Sequence, residues 1–272
     1  MEKITDLQKD VLQIAQMVKN DGIEERVHSA QTSWLTWTDS DKEIKRSVES
    51  LYENRLITLF YDMRKKLNRL ATQDEYVDEY LNIAMAKIVK QDWYNKNNNE
   101  YFVEDCVIWR ADRAYKSNLV EITTAYQLEQ LGYSVFRELH IDYVAGVDLV
   151  AVKDNKVWYI HITKDSKWSR DKVLTKGTYK SYYVNRKAVN YQRNFEGHVE
   201  LFYNNEGSHN NVVNNGLPLF KNDYLFSEIG NWNSFEWDSD NQVAKLMNSM
   251  KSAGAVYREY KWVSTDNKLE IK

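Results

Sequence analysis

Two alternating apolar runs, 147–152 and 157–163, flank an Asp154-Asn155 turn, and this pattern constrains the chain more than any other: it specifies an antiparallel hairpin closed by a two-residue turn. Just upstream, 133–140 reads as a further strand. Before it, Asn118 and Glu121 have the spacing of a capping box, Ile122, Ala125, Leu128 and Leu131 continue at helical spacing, and Gly132 ends the run. The order helix, strand, hairpin predicts an α/β domain with a central mixed sheet, to which the alternating segment 198–203 adds a strand.

Strand periodicity then sorts the side chains. In 157–163 it puts Trp158, Ile160 and Ile162 on one face and Tyr159, His161 and Thr163 on the other. Asp148 stands between Val147 and Leu149, where an ionised carboxylate is costly unless it is paired or holds a cation. Structural roles remain open for each of these groups. Glu121 can be the reciprocal half of a helix cap, Asp148 can pair with an Arg or Lys, and His161 can be a hydrogen-bonded strand histidine.

Over roughly residues 117 to 203 this arrangement resembles the PD-(D/E)XK superfamily of restriction-endonuclease-like nucleases, in which a helix Glu, a strand Asp and an acid-x-Lys pair on the next strand hold Mg²⁺ and a water. Residue by residue, Glu121 stands for the helix acid, Asp148 in Gly146-Val147-Asp148 for the strand acid, His161 for the second acid and Thr163 for the lysine. Only Glu121 and Asp148 match in type, so the second half of the motif is degenerate. His161 is a poor ligand for Mg²⁺, which prefers hard oxygens, and Thr163 lacks the lysine's charge. Lys164 is adjacent but points to the opposite face unless a bulge re-aims it, and Lys167, Lys172 or Lys176 can supply the charge from the following segment. The resemblance implies a restriction-endonuclease-like core and a DNA endonuclease whose Mg²⁺ is held by Glu121 and Asp148. In it, His161 orients or deprotonates the water, and Thr163 and Lys164 complete the catalytic set.

Net charge is only −3, but between Lys164 and Arg193 six Lys and three Arg face two Asp, a local charge of +7, with Trp168, Tyr179, Tyr182, Tyr183 and Tyr191 interleaved. Cations neutralise phosphates and rings stack on bases, so Lys167, Arg170, Lys172, Lys176, Lys180, Arg186, Lys187 and Arg193 are the expected nucleic-acid contacts. The alternative is a solvated basic helix face. With 43% hydrophobic and 13% aromatic residues the chain is expected to fold, and with no membrane-length apolar run and no signal-peptide core it is expected to be cytoplasmic. The single Cys106, beside Val107 and Ile108, reads as a small buried hydrophobe.

Three regions are expected: a helical part over 1–99, a nuclease-like α/β core over 100–216 and an aromatic-rich extension over 217–272. The helical part has candidate capping boxes at Thr5 with Gln8, Ser40 with Glu43 and Thr72 with Glu75, and it would serve DNA clamping or homodimerisation. One long helix is expected to carry the stripe from Ile44 to Leu70, with Arg64-Lys65-Lys66 on its solvated face. Residues 204–216 read as a long Asn-rich loop, and the extension as loops followed by a helix near 242–252 and a strand over 256–263. Two other functions fit the same residues: a nuclease fold that binds nucleic acid without cutting it, and a protein-interaction module of a phage or defence system.

Overall fold

The computed structural model describes residues 2–23, 36–51, 53–95, 100–137, 142, 147–167, 169, 182–184, 187–189, 198–231, 235–236, 260–263 and 268–271. The chain is mixed α/β and divides into two units, one helical (Gln8–Ile122 with Asn214–Leu217) and one built on a sheet (Met1–Leu7, Thr123–Val213 and Pro218–Lys272). The sequence reading sets its boundaries elsewhere, near residues 100 and 217. Residue 100 is instead where a long helix begins, and that helix runs on through both Ile122 and Thr123.

Among the described residues, six helices run in order through the first half: α1 (Leu7–Asn20), α2 (Asp39–Glu49), α3 (Asn54–Leu67), α4 (Gln73–Ile88), the single turn α5 (Asp92–Asn95) and α6 (Glu100–Gln130). The Thr72–Glu75 capping box forms in both directions, with the Glu75 amide donating to Thr72 Oγ1 at 3.2 Å and the Thr72 amide donating to Glu75 Oε2 at 2.9 Å. The box of α2 lies two residues before the expected Ser40–Glu43 pair, at Thr38 and Asp41. The two patterns overlap in sequence, and the earlier one gains two residues of helix. The expected single helix from Ile44 to Leu70 is two, one capped at Ser50 and the next opening after Glu53; α3 ends at Asn68 in a left-handed cap (φ 53°).

Arg64 departs from its expected place on a solvated face. Its Nε and Nη2 lie 2.8 and 2.6 Å from Oδ2 of Asp10, a carboxylate that is 2% exposed. A carboxylate that deep in the helical unit requires a cation, and the long arginine stem delivers one.

The expected helix start at Asn118 is also corrected. Asn118 lies inside the 31-residue α6, and its side-chain amide donates to the Ala114 carbonyl at 2.7 Å instead of capping. No Gly or Pro interrupts 100–130, and Val103, Cys106, Val107, Ala111, Tyr115 and Leu119 are buried on one continuous face. Gly132, at φ 87°, does end the helix, and Lys153 Nζ donates to the Leu131 carbonyl at 2.9 Å.

The sheet unit contains β1 (Glu2–Lys3), β2 (Ser134–Arg137), β3 (Leu149–Lys153), β4 (Lys156–Lys164), β5 (Tyr182–Val184), β6 (Lys187–Val189) and β7 (His198–Tyr203). The chain continues with β8 (Asn211–Asn214), β9 (Leu217–Phe220), α7 (Asn222–Asn231), β10 (Phe235–Glu236), β11 (Tyr260–Val263) and β12 (Lys268–Ile271). Among the described residues the main sheet has six strands. β1 to β4 pair antiparallel in the order β1-β2-β3-β4, β7 lies parallel to β4, and β10 pairs antiparallel with the start of β4. Asp154 and Asn155, with φ 48° and 57°, make the turn between β3 and β4 that the sequence specifies.

Residues 204–216, expected as a loop, hold β8 and the start of a hairpin whose turn is Asn215-Gly216, with φ 41° and 83°. Residues 222–231, expected as loop-rich, form α7, whose Leu225 and Ile229 are buried. The expected helix near 242–252 lies outside the described residues, and the expected strand over 256–263 is described over Tyr260–Val263, paired with β12. The outer edge of β7 is met by side chains: the Phe202 amide donates to the Tyr224 hydroxyl at 3.1 Å, and Asn210 Nδ2 donates to the Phe202 carbonyl at 2.9 Å. Among the described residues no helix is long and apolar enough to cross a membrane.

Candidate active site

β4 is the strand from which the site is built. Its neighbours share its register, so residues paired across strands project from the same face. Leu149, Ile160 and Val199 line one face, and all three are fully buried. The other face carries Val150 opposite Tyr159, Glu200 opposite His161 and Phe202 opposite Thr163. This is the division of 157–163 that the alternation requires. His161 is 1% exposed, so the polar face is as covered as the apolar one at that position. Thr163 is half-buried, and Lys164 is exposed at the strand end, opposite Tyr203.

Asp148 immediately precedes β3 and is tied to β4 twice. Its backbone amide donates to the Ile160 carbonyl at 2.9 Å, and its Oδ2 accepts the Ile162 amide at 2.6 Å. The carboxylate thereby does the work of a strand carbonyl at the end of the β3–β4 ladder. A charge-assisted bond to a backbone amide offsets part of the desolvation that the apolar flanks impose. A carboxylate can accept about four hydrogen bonds, so this contact leaves acceptor capacity for a cation. Asp148 and His161 are thus brought together, with the acid bound to the residue that follows the imidazole.

Glu121 belongs to the helical unit, where it is 9% exposed and the Tyr61 hydroxyl lies 3.4 Å from its Oε2. It is a mid-helix residue and not the partner of an Asn118 cap. Among the described residues no group of three or more His, Cys, Asp or Glu is placed to hold a metal ion. The oxygen donors of Glu121 and Asp148 are of the type Mg²⁺ takes, an ion held by one or two carboxylates with waters and substrate phosphates completing its shell.

Of the expected nucleic-acid contacts, Lys167 is exposed and Lys187 stands on β6 opposite Val184. Arg170, Lys172, Lys176, Lys180, Arg186 and Arg193 lie outside the described residues. Cys106 is buried, and burial pushes its thiol up to about 12, which suits a packing residue and not a nucleophile.

Sequence reasoning did not single out Glu200. The alternation of 198–203 places it on one face with His198 and Phe202, but the register that sets it beside His161 is fixed across a crossover between β4 and β7. No known protein family, characterised protein or solved structure matches this chain.

Proposed function

We propose that the chain is a Mg²⁺-dependent DNA endonuclease of restriction type, hydrolysing phosphodiester bonds, on a restriction-endonuclease-like core. The observation that carries this reading is the Asp148 carboxylate bonded to the Ile162 amide, next to His161, on the hairpin that follows the helix of Glu121. Asp148 is the residue of the sheet unit that would hold the ion, and the resemblance adds Glu121 as the second acid. When bound, Mg²⁺ lowers the pKa of a coordinated water and polarises the phosphoryl oxygens. His161 accepts the proton of the attacking water. Lys164 and Lys167, both exposed, contact the phosphate backbone together with the basic segment that follows them. Thr163 is a hydrogen-bonding group where the nuclease pattern has a charge.

Supercoiled plasmid incubated with the protein in Mg²⁺, Mn²⁺ or EDTA tests this directly. Nicking or linearisation with either metal and none in EDTA is the expected result, whereas DNA binding without cleavage in any divalent metal overturns it. That outcome would leave the second reading, a nuclease fold that binds nucleic acid only. The same Asp148–Ile162 bond favours it, because it gives the carboxylate a purely structural task.

A further inference from the structure

Glu200 is the acid that the degenerate motif lacks at the position of His161, delivered from a different strand. β7 lies parallel to β4 with Glu200 in register with His161, so the two side chains leave the sheet on the same face from adjacent strands. The imidazole is 1% exposed, Glu200 is half-buried, and Val150 and Tyr159, which share that face, are each 1% exposed. A buried imidazole needs partners for both ring nitrogens, and its neutral form presents one donor and one acceptor. Asp148, on the other flank, is tied through Oδ2 to the Ile162 amide of the strand that carries the imidazole. Glu200 stands in register with His161 from β7, and this register suits its carboxylate to receive a ring N–H.

We propose that Glu200 is a positioning residue for His161: it accepts the N–H of one ring nitrogen, fixes the tautomer and leaves the other nitrogen as the acceptor for a proton. This rests on the nuclease reading for its catalytic consequence but not for the contact itself. A carboxylate behind a catalytic imidazole acts by orientation and tautomer choice. On the nuclease reading, the acid beside this position comes from β7 and serves to orient the imidazole.

The full-length protein labelled with ¹⁵N in its histidines supplies the test, with the His161 signals identified from His161→Gln. In the wild type His161 is expected as a single neutral tautomer, and in Glu200→Leu as a mixture, with the other four histidines unmoved. Glu200→Gln keeps the shape and an acceptor, so it covers the case in which Glu200→Leu fails to fold; its His161 nitrogen shifts are expected to move while the single tautomer is retained. Unchanged His161 shifts in every folded variant would overturn the proposal. In cleavage, Glu200→Leu is expected to lower kcat by roughly 10–100-fold without weakening DNA binding. A wild type that cuts nothing defeats the nuclease reading alone, since the tautomer measurement still decides the role of Glu200.

Discussion

The carboxylate of Asp148 and the backbone amide of Ile162 are 2.6 Å apart, which makes the candidate metal ligand also a part of the β3–β4 ladder. The two roles separate by substitution. Asp148→Asn keeps an oxygen acceptor for Ile162 but removes the charge, so cleavage should vanish while folding and DNA binding persist. Asp148→Ala strips the amide of this acceptor and should lower unfolding free energy by about 1–3 kcal/mol in a urea titration. Equal stability of the two variants would remove the ladder role, and wild-type cleavage by Asp148→Asn would remove the catalytic one.

His161→Ala should reduce the single-turnover cleavage rate by roughly 10²–10⁴-fold at saturating Mg²⁺ if the imidazole takes the proton of the attacking water. Glu121→Gln should abolish cleavage through loss of a charge that favours the ion. Circular dichroism matching the wild type is the control in both cases, and a rate within a few-fold of wild type for His161→Ala would assign that residue to packing.

Reversing the charge of Lys172, Lys176 and Lys180 together should weaken DNA binding and flatten its dependence on salt, because each lost phosphate contact removes about 0.9 released counterions from the slope. The check is a plot of log affinity against log salt for wild type and triple variant. Parallel lines would mean that these lysines touch no phosphate.

Glu75 is held down at about 2, first by the hydrogen bonds from Arg69 at 2.6 and 2.7 Å and then by the Thr72 amide. A carboxyl depressed in the folded state stabilises it at pH values above its ordinary value of 4.5, and that contribution is lost as pH falls from about 4.5 through about 2. The pair is 40% exposed on each side, so solvent screens it and its contribution is small. Glu75→Gln should therefore melt slightly below wild type at pH 7 and coincide with it near pH 2. A difference that grows with acidity would reverse the sign and refute this account.

Cys106 should resist a thiol reagent in the native protein at pH 8 and react fully once the chain is unfolded, since its thiol is pushed up to about 12 by burial. Rapid native labelling would place it at an opening in the helical unit.

The hairpin and its neighbours were legible because their signals are local: period-two alternation, a two-residue turn that tolerates positive φ, and Gly132 at the end of α6. Asn118 with Glu121 carried an equally local cap signal, yet the helix runs through it, since a cap pattern states only where a helix is able to begin. Arg64 and Glu200 were illegible for another reason. What decides their roles is a partner 54 residues away in Asp10 for one, and a strand register across a long crossover for the other, and no window of sequence contains either. His161 was legible as a strand residue sharing a face with Tyr159 and Thr163, but its burial and its neighbourhood are tertiary properties.

At Phe202 the outer margin of the main sheet has both its backbone groups occupied, the amide by Tyr224 and the carbonyl by Asn210. Strand addition from a second molecule needs that same donor and acceptor, so Phe202 is closed to it by two side chains, one of them carried by α7. Any homodimer of this chain must be joined somewhere other than by continuing the sheet past β7 at that residue. Truncating both side chains, in Tyr224→Phe with Asn210→Ala, would leave the position ready for intermolecular pairing.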